Sequence, residues 1–163
     1  MSGLDTAMHK HILMPTDGSA LSEKAIEYGM ALAKSVGAKV TVITVSPPYQ
    51  VFAIEPTLIT ETPQSYQAYV DRLAAKHLSV ASQIASAAGV PCEGLHVTHE
   101  QPYQAIIETA AAQGCDLIVM ASHGRRGIAA VVLGSETVKV LTHSTIPVLV
   151  FRAPHYDQLS VAS

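Results

Sequence analysis

LIVMASHGRRGIAAVVLGSETVK, residues 117–139, combines a strand, a glycine-bearing loop and the start of a helix. Its first four residues are apolar and partly β-branched, which predicts a strand buried on both faces. The loop that follows contains three glycines, Gly124, Gly127 and Gly134. They can take positive φ and leave no side chain in the way of a ligand. A helix begins near Ser135, which can cap it or donate a hydroxyl hydrogen bond. Its unpaired N–H groups favour an anion such as phosphate.

Strands and helices alternate along the rest of the chain. Short apolar runs predict five strands, at residues 10–15, 39–45, 92–98, 117–120 and 146–151. Helical spacing predicts a helix between each pair, with Ser19 as an N-cap and Gly37 and Gly89 as stops. This alternation predicts an α/β fold, a parallel sheet covered by helices on both faces. Ligands bind such sheets at the carboxyl ends of the strands, so Asp17 is expected to face the glycine loop.

Two helices carry further expectations about packing. Apolar spacing in the first helix predicts a buried face made of Leu21, Ala25, Tyr28, Leu32 and Val36. The long helix starting at residue 64 carries His77 on its apolar stripe, where a packed, hydrogen-bonded histidine is expected rather than a ligand.

Composition limits the class of protein. The chain has 163 residues, 48% of them hydrophobic and 14% charged, which predicts one globular domain over residues 1–152. Residues 47–63 form an irregular, proline-rich loop, and residues 153–163 form a polar tail. The net charge of −3, without blocks of like charge, argues against a nucleic-acid partner. No apolar run suits membrane insertion or a signal peptide, so the expected location is the cytoplasm.

Cysteine and histidine spacing gives no metal or redox motif. Cys92 and Cys115 are isolated and lie in strand-like contexts, so both are expected to be small buried residues. His96 and His99 lie three apart without a supporting cysteine or carboxylate cluster. No metal site is therefore predicted.

Several nucleotide-binding and signalling folds lack their signatures here. The first turn, PTDGS at residues 15–19, has no spaced glycines for a dinucleotide, and no Gly-Lys-Ser/Thr occurs. The third strand ends in Val97-Thr98, where a receiver domain would need an aspartate. Nothing supports a defined nucleophile, general base or rapid turnover, so any hydrolysis is expected to be slow and incidental.

Three separated pieces of the chain resemble the universal stress protein family. Residues 12–17 (ILMPTD) resemble its first strand and aspartate, and residues 146–150 (IPVLV) its last strand. Between them, residues 115–120 (CDLIVM) lead into Ala121-x-x-Gly124, nine residues, then Gly134-Ser135. That spacing is similar to the family's phosphate-binding signature, although Ala121 replaces its usual first glycine.

The resemblance implies a fold, a ligand and an assembly. The implied fold is Rossmann-like, of the adenine nucleotide alpha hydrolase type, with three α/β/α layers and sheet order 3-2-1-4-5. The implied ligand is ATP or AMP, with any Mg²⁺ held by the nucleotide phosphates. The family also implies a regulatory or stress-response role and a homodimer paired through the last strand, Ile146 to Phe151.

Residue roles follow from the same resemblance. Asp17 would contact the ribose, Val45 and Met120 would line the adenine, and Gly124, Gly134 and Ser135 would hold the phosphates. The other residues implied in the site are Pro15, Thr16, Ala121, His123, Arg125, Gly127, Glu136 and Thr137.

Other interpretations of these residues stay open. Asp17 can be a carboxylate favoured by a helix N-terminus, and Val45 and Met120 can be plain core residues. Arg125 and Arg126 suit a phosphate clamp but equally suit an exposed, soluble loop. The alternative function is an interaction module on the same fold, whose site is empty or altered at Ala121.

Overall fold

Five parallel strands form one sheet in the computed structural model, which describes residues 7–49, 62–124 and 133–153. The strands are β1 (His11–Pro15), β2 (Lys39–Ser46), β3 (Cys92–Thr98), β4 (Leu117–Ala121) and β5 (Val148–Phe151). The helices are α1 (Ala20–Val36), α2 (Pro63–Ala88), α3 (Pro102–Ala112) and α4 (Ser135–His143). The sheet order is β3-β2-β1-β4-β5, which confirms the α/β fold and the order 3-2-1-4-5.

Two apolar cores lie on opposite faces of the sheet because strand side chains alternate. On one face Ile12 and Met14 pack with residues of α1 and α2, and Leu149 packs against the same core. On the other face Leu13 packs with residues of α3 and α4, including Ile106. The sheet is therefore the middle of three layers.

The buried face of α1 differs from the predicted one. Helix α1 begins after the N-cap Ser19 and ends at Gly37 as expected, but it buries a row of mostly small residues. Those buried residues are Ser22, Ala25, Ile26, Gly29, Met30 and Ala33. Tyr28, placed on the buried face by the sequence, is 46% exposed. Close packing onto the sheet favours small side chains, as Gly29 illustrates: a Cβ there would lie 2.5 Å from the Met14 methyl group.

Helix α2 starts slightly earlier than predicted. Thr62 caps it by accepting from the N–H of Ser65 at 3.1 Å, and Pro63 occupies the first turn. Gly89 ends it with a φ of 71°. The predicted loop at 47–63 therefore stops at residue 62, and its residues 50–61 lie outside the described part of the chain. The predicted tail at 153–163 also lies outside it from residue 154 onward.

The two edge strands also differ from what the sequence predicted. Strand β5 starts at Val148 rather than residue 146, because Ser144 closes a turn by accepting from the N–H of Ile146 at 3.0 Å. Strand β3 forms the other edge, and its first residue, Cys92, is exposed, so the prediction of a buried thiol was wrong there. Cys115 is buried as predicted. Within the described ranges no helix has the length and apolarity needed to cross a bilayer.

Candidate functional site

An open cleft lies at the carboxyl ends of the strands, above the point where β1 separates β2 from β4. Its volume is about 600 Å³, within the range of roughly 300–1,000 Å³ typical of small-molecule sites. The chain leaves β1 and β4 toward opposite faces of the sheet, and parallel α/β sheets bind ligands at such a point. Every predicted site residue that the structure describes lines this cleft. They are Pro15, Thr16, Asp17, Val45, Met120, Ala121, His123, Gly124, Gly134, Ser135, Glu136 and Thr137. Arg125 and Gly127 lie outside the described residues.

The turn after β1 is fixed by short hydrogen bonds. The buried hydroxyl of Thr16 accepts from the N–H of Gly18 at 3.1 Å. Asp17 Oδ1 accepts from the N–H of Ser19 at 2.9 Å, and Ser19 Oγ then accepts from Ser22 N at 3.2 Å. Gly18 has a φ of +76°, which favours glycine. The sequence thus builds a rigid turn that presents the Asp17 side chain at the start of α1.

The second oxygen of that carboxylate faces the loop after β4. A Cβ atom at Gly124 would lie 2.5 Å from Asp17 Oδ2. The predicted juxtaposition of Asp17 and the glycine loop is therefore present. Only glycine at position 124 leaves room for the carboxylate in this position.

Gly124 and Gly134 matter because they lack a side chain, and their backbone conformation is ordinary. Neither is among the described glycines with positive φ, although the sequence allowed for that conformation. A Cβ at Gly134 would lie 3.1 Å from the Cα of His123, so a side chain there would press on the neighbouring backbone. Gly134 N–H also donates to Ser122 O at 2.7 Å, which closes the two ends of the loop on each other.

Ala121, the departure from the family's glycine, ends β4 without strain. No described residue other than glycine has positive φ, so Ala121 keeps an ordinary strand backbone. Its carbonyl accepts from the hydroxyl of Thr137 at 3.0 Å, which ties α4 to the strand. Ala121 is only 8% exposed, so its methyl group fits in a nearly buried position.

The N-terminus of α4 opens into the cleft. Gly134 is the N-cap and Ser135 is the first helical residue, so Ser135 does not cap the helix with its side chain. The first intrahelical bond runs from Val138 N–H to Gly134 O at 3.0 Å. An α-helix provides no backbone acceptor for the N–H groups before that one. The N–H groups of residues 135–137 and the helix dipole therefore favour an anion at this end of the cleft.

Glu136 connects the cleft to a second helix. Its Oε2 accepts from the backbone N–H of Tyr103 at 2.9 Å, in the first turn of α3. Its Oε1 lies 3.3 Å from Lys139 Nζ. The carboxylate thus joins the N-termini of α3 and α4, and both helices are held at the wall of the cleft.

The cleft also has an apolar part. Val45 and Met120 come from the ends of β2 and β4, and Met120 is 5% exposed. Ile43 and Ile106 extend the same surface. A planar, weakly polar ring suits this apolar surface, and Asp17 and the N-terminus of α4 add polar groups to the same cleft.

Sequence reasoning missed one wall of the cleft. The additional lining residues are Ser22, Ile43, Pro47, His99, Glu100, Pro102 and Ile106. Ile43 could have been found, because it lies two residues before Val45 and strand side chains alternate. His99 and Glu100 belong to the connection from β3 to α3, and the packing of α3 brings that connection to the cleft.

Local bonds fix the orientation of His99. Its Nδ1 accepts from the N–H of Gln101 at 2.9 Å, and its Nε2 lies 3.9 Å from Glu108 Oε2. Its backbone N–H donates to Ser46 O at 3.0 Å. In the described ranges, no three His, Cys, Asp or Glu side chains converge as a metal site.

Comparison with known proteins gives consistent matches over nearly the whole chain. The sequence model of the universal stress protein family matches residues 8–152. Universal stress protein YxiE of Bacillus subtilis is 32% identical over 149 residues, covering 89% of this chain and 100% of the relative.

Solved structures share the fold. The structure of protein MJ0577 of Methanocaldococcus jannaschii superposes with a TM-score of 0.73 at 24% identity, covering 90% of this chain and 98% of the other. A universal stress protein in complex with cAMP superposes with a TM-score of 0.64 at 25% identity. That match covers 88% of this chain and 97% of the other.

Proposed function

The chain belongs to the universal stress protein family, and we propose that its cleft binds an adenine nucleotide, AMP or ATP, as a regulatory ligand. The observation that carries the proposal is the convergence of Asp17, Gly124 and the N-terminus of α4 on one cleft of about 600 Å³. The cAMP complex of a protein with the same fold supports an adenine nucleotide as the ligand.

Different residues of the cleft suit the adenine, the ribose and the phosphate of a nucleotide. Val45 and Met120 offer apolar surface to the adenine. The Asp17 carboxylate accepts hydrogen bonds from ribose hydroxyls, and charged hydrogen bonds of this kind contribute about 1.5–3 kcal/mol. The α-phosphate lies at the start of α4, where backbone N–H groups and the Ser135 hydroxyl donate to it.

The remaining site residues complete this assignment. Gly124 and Gly134 keep the backbone clear for phosphate oxygens, and Pro15, Thr16, Ala121, His123, Glu136 and Thr137 form the walls. Arg125, directly after Gly124 in the chain, would supply a guanidinium for a longer phosphate chain, and Gly127 would add no side chain to obstruct it. With ATP, Mg²⁺ is held by the phosphates rather than by a protein cage.

We propose binding and signalling rather than rapid catalysis. Glu136 offers a route by which a bound phosphate would affect the rest of the chain. It joins the start of α4 to the first turn of α3 through its hydrogen bond with the N–H of Tyr103. A phosphate at the start of α4 changes the field acting on that carboxylate. The chain would act as a cytoplasmic stress-response protein whose conformation or assembly reports the nucleotide bound.

We also propose a homodimer paired through β5, the edge strand next to β4. The edge of a sheet offers unpaired backbone groups to a second strand. A two-fold axis would pair the two β5 strands antiparallel. This assembly would leave both clefts open, because they lie at the β1–β4 boundary.

A release assay followed by titration tests the proposed ligand. Purified protein is denatured and the supernatant is checked for purine absorbance. Nucleotide-free protein is then titrated with AMP, with ATP in the presence and absence of Mg²⁺, and with GMP as a matched control. We expect AMP and Mg-ATP to bind and GMP to bind at least tenfold more weakly. Equal affinity for GMP would refute adenine recognition, and no binding of any nucleotide would refute the proposed function.

A further inference from the structure

The imidazole of His77 lies against the outer side of the turn that presents Asp17. His77 belongs to α2, a different helix from the one that the turn begins. A Cβ atom placed on Gly18 would overlap the ring atoms Nε2 and Cδ2, and it would lie 2.6 Å from Cε1. The ring edge therefore occupies the space above Gly18, and the positive φ of that glycine lets the turn approach it.

The segment of α2 that carries His77 is firmly packed against the core. Ala74 and Ala81, three residues before and four after it, lie on the same side of α2 and are 3% and 1% exposed. Ala81 packs in the core between α1, α2 and the sheet. His77 thus projects from a well-anchored part of the helix onto the turn.

The turn is fixed from within by its own hydrogen bonds, and at Gly18 it also meets the imidazole of another helix. Internally, Gly18 N–H donates to Thr16 Oγ1 at 3.1 Å, and Ser19 N–H donates to Asp17 Oδ1 at 2.9 Å. On the inner side Gly124 leaves space for Asp17 Oδ2. The imidazole lies on the outer side, at Gly18, so that the turn is held between α2 and the loop after β4.

We propose that His77 is a positioning residue of the nucleotide site: its ring holds the Asp17–Gly18 turn so that the Asp17 carboxylate meets the ribose hydroxyls. The inference rests on the proposed function and adds a residue that contacts no nucleotide atom. Removing the ring lets the turn move outward, which lengthens the bonds from Asp17 to the sugar. The base and phosphate contacts stay in place, because they come from β2, β4 and α4.

The test compares the affinities of AMP and 2′-deoxy-AMP for the parent and for His77→Ala, measured by calorimetry. Alanine is the strongest helix former, so the variant keeps α2. We expect the ratio of AMP to 2′-deoxy-AMP affinity to fall roughly tenfold, the order expected for a charged hydrogen bond. The affinity for 2′-deoxy-AMP should change much less. A purely structural residue would lower both affinities together.

Two further variants make the result decisive. Leu78→Ala is the matched control, since Leu78 is the next residue of α2 but packs on Gly94 of β3, where its Cδ2 would lie 3.3 Å from an added Cβ. It should keep the parental ratio. Gly18→Ala meets the ring and also strains a backbone with a φ of +76°, so it should lower the ratio as well.

The outcomes separate this inference from the proposed function. A parent that binds AMP, together with a His77→Ala variant that keeps the parental ratio, overturns the inference alone. An equal fall in the ratio for Leu78→Ala also overturns it. A parent that binds neither nucleotide overturns the inference and the proposed function together.

Discussion

The carboxylate of Asp17 occupies the space that a side chain at Gly124 would need. A Cβ atom at Gly124 would lie 2.5 Å from Asp17 Oδ2, well inside contact distance. The two residues are far apart in sequence but belong to the turns that follow β1 and β4, which are neighbours in the sheet. This contact joins the turn after β1 to the loop after β4, and both residues line the cleft.

Gly124→Ala should therefore weaken nucleotide binding more than it weakens folding. The added methyl group displaces the carboxylate, which removes about 1–3 kcal/mol of binding free energy. Gly94→Ala is the control, because Gly94 lies on the edge strand β3 and the nearest atom to its added Cβ would be Leu78 Cδ2 at 3.3 Å. Calorimetric affinities and thermal unfolding of both variants provide the check. Parental affinity in Gly124→Ala would show that the carboxylate position is unimportant.

The free energy of unfolding should fall on acidification because of His11. Burial, followed by the charge of Lys39, lowers the pKa of this imidazole below its ordinary value of 6.5. Its Nε2 lies 2.7 Å from the Thr41 hydroxyl. A backbone hydrogen bond with Gln113, followed by the charges of Asp116 and Glu93, acts to raise the pKa and only partly offsets this lowering. Below pH 6.5 the unfolded chain binds a proton that the folded chain resists, so stability is lost as pH falls through that value.

Denaturant titrations between about pH 5 and pH 7.5 measure this effect. His11→Gln should be less stable at neutral pH but should show a shallower pH dependence. If the free energy of unfolding changed equally with pH in His11→Gln and in the parent, His11 would be ruled out as the cause of the pH dependence.

The two thiols should react very differently with iodoacetamide. Burial raises the pKa of Cys115 to about 11, with Asp116 adding to the shift. Partial burial and Glu93 also raise the pKa of Cys92, but its residue is exposed on the edge strand. At about pH 9, mass spectrometry should find Cys92 modified in native protein and Cys115 modified only after denaturation. Comparable labelling of both thiols in the native state would contradict this placement.

Val150→Pro should separate the proposed dimer without unfolding the chain. The carbonyls of Pro147 and Phe151 accept from the N–H groups of Ile118 and Ser122 at 2.9 and 2.8 Å, so these alternate residues face β4. Val150 therefore directs its N–H away from β4, toward a partner strand. Proline removes that donor while sparing the internal ladder, whereas a change at Leu149 would disturb the core. Light scattering should show a dimeric parent and a monomeric variant; a dimeric Val150→Pro protein or a monomeric parent would exclude pairing through β5.

The strands and helix ends could be predicted because their signals are local. Ser19, Gly37 and Gly89 act at the positions where the sequence placed them. The buried face of α1 could not be predicted in the same way, because apolar periodicity emphasises large side chains. The sheet instead packs on Ala25 and Gly29, while Tyr28 lies 5.6 Å from the ring of Phe151 near the sheet edge.

The cleft was predictable where a motif and a strand end coincide. Asp17 and Gly124 each follow a strand, and sheet order alone brings them together. His99 and Glu100 could not be placed in advance, because their connection reaches the cleft through the packing of α3. His77 was predicted as a packed residue, but its contact with Gly18 depends on how α2 lies beside α1.

Titration of AMP into the parent and into Asp17→Asn tests the central claim most directly. Asparagine retains an acceptor for the Ser19 N–H but removes the charge that the ribose hydroxyls would meet. The proposed site predicts saturable binding of one AMP per chain, with an affinity at least tenfold lower in Asp17→Asn, as expected for loss of a charged hydrogen bond. Unchanged thermal unfolding would assign the loss to the site rather than to the fold. Equal AMP affinity in the two proteins, or no binding by the parent, would contradict the account.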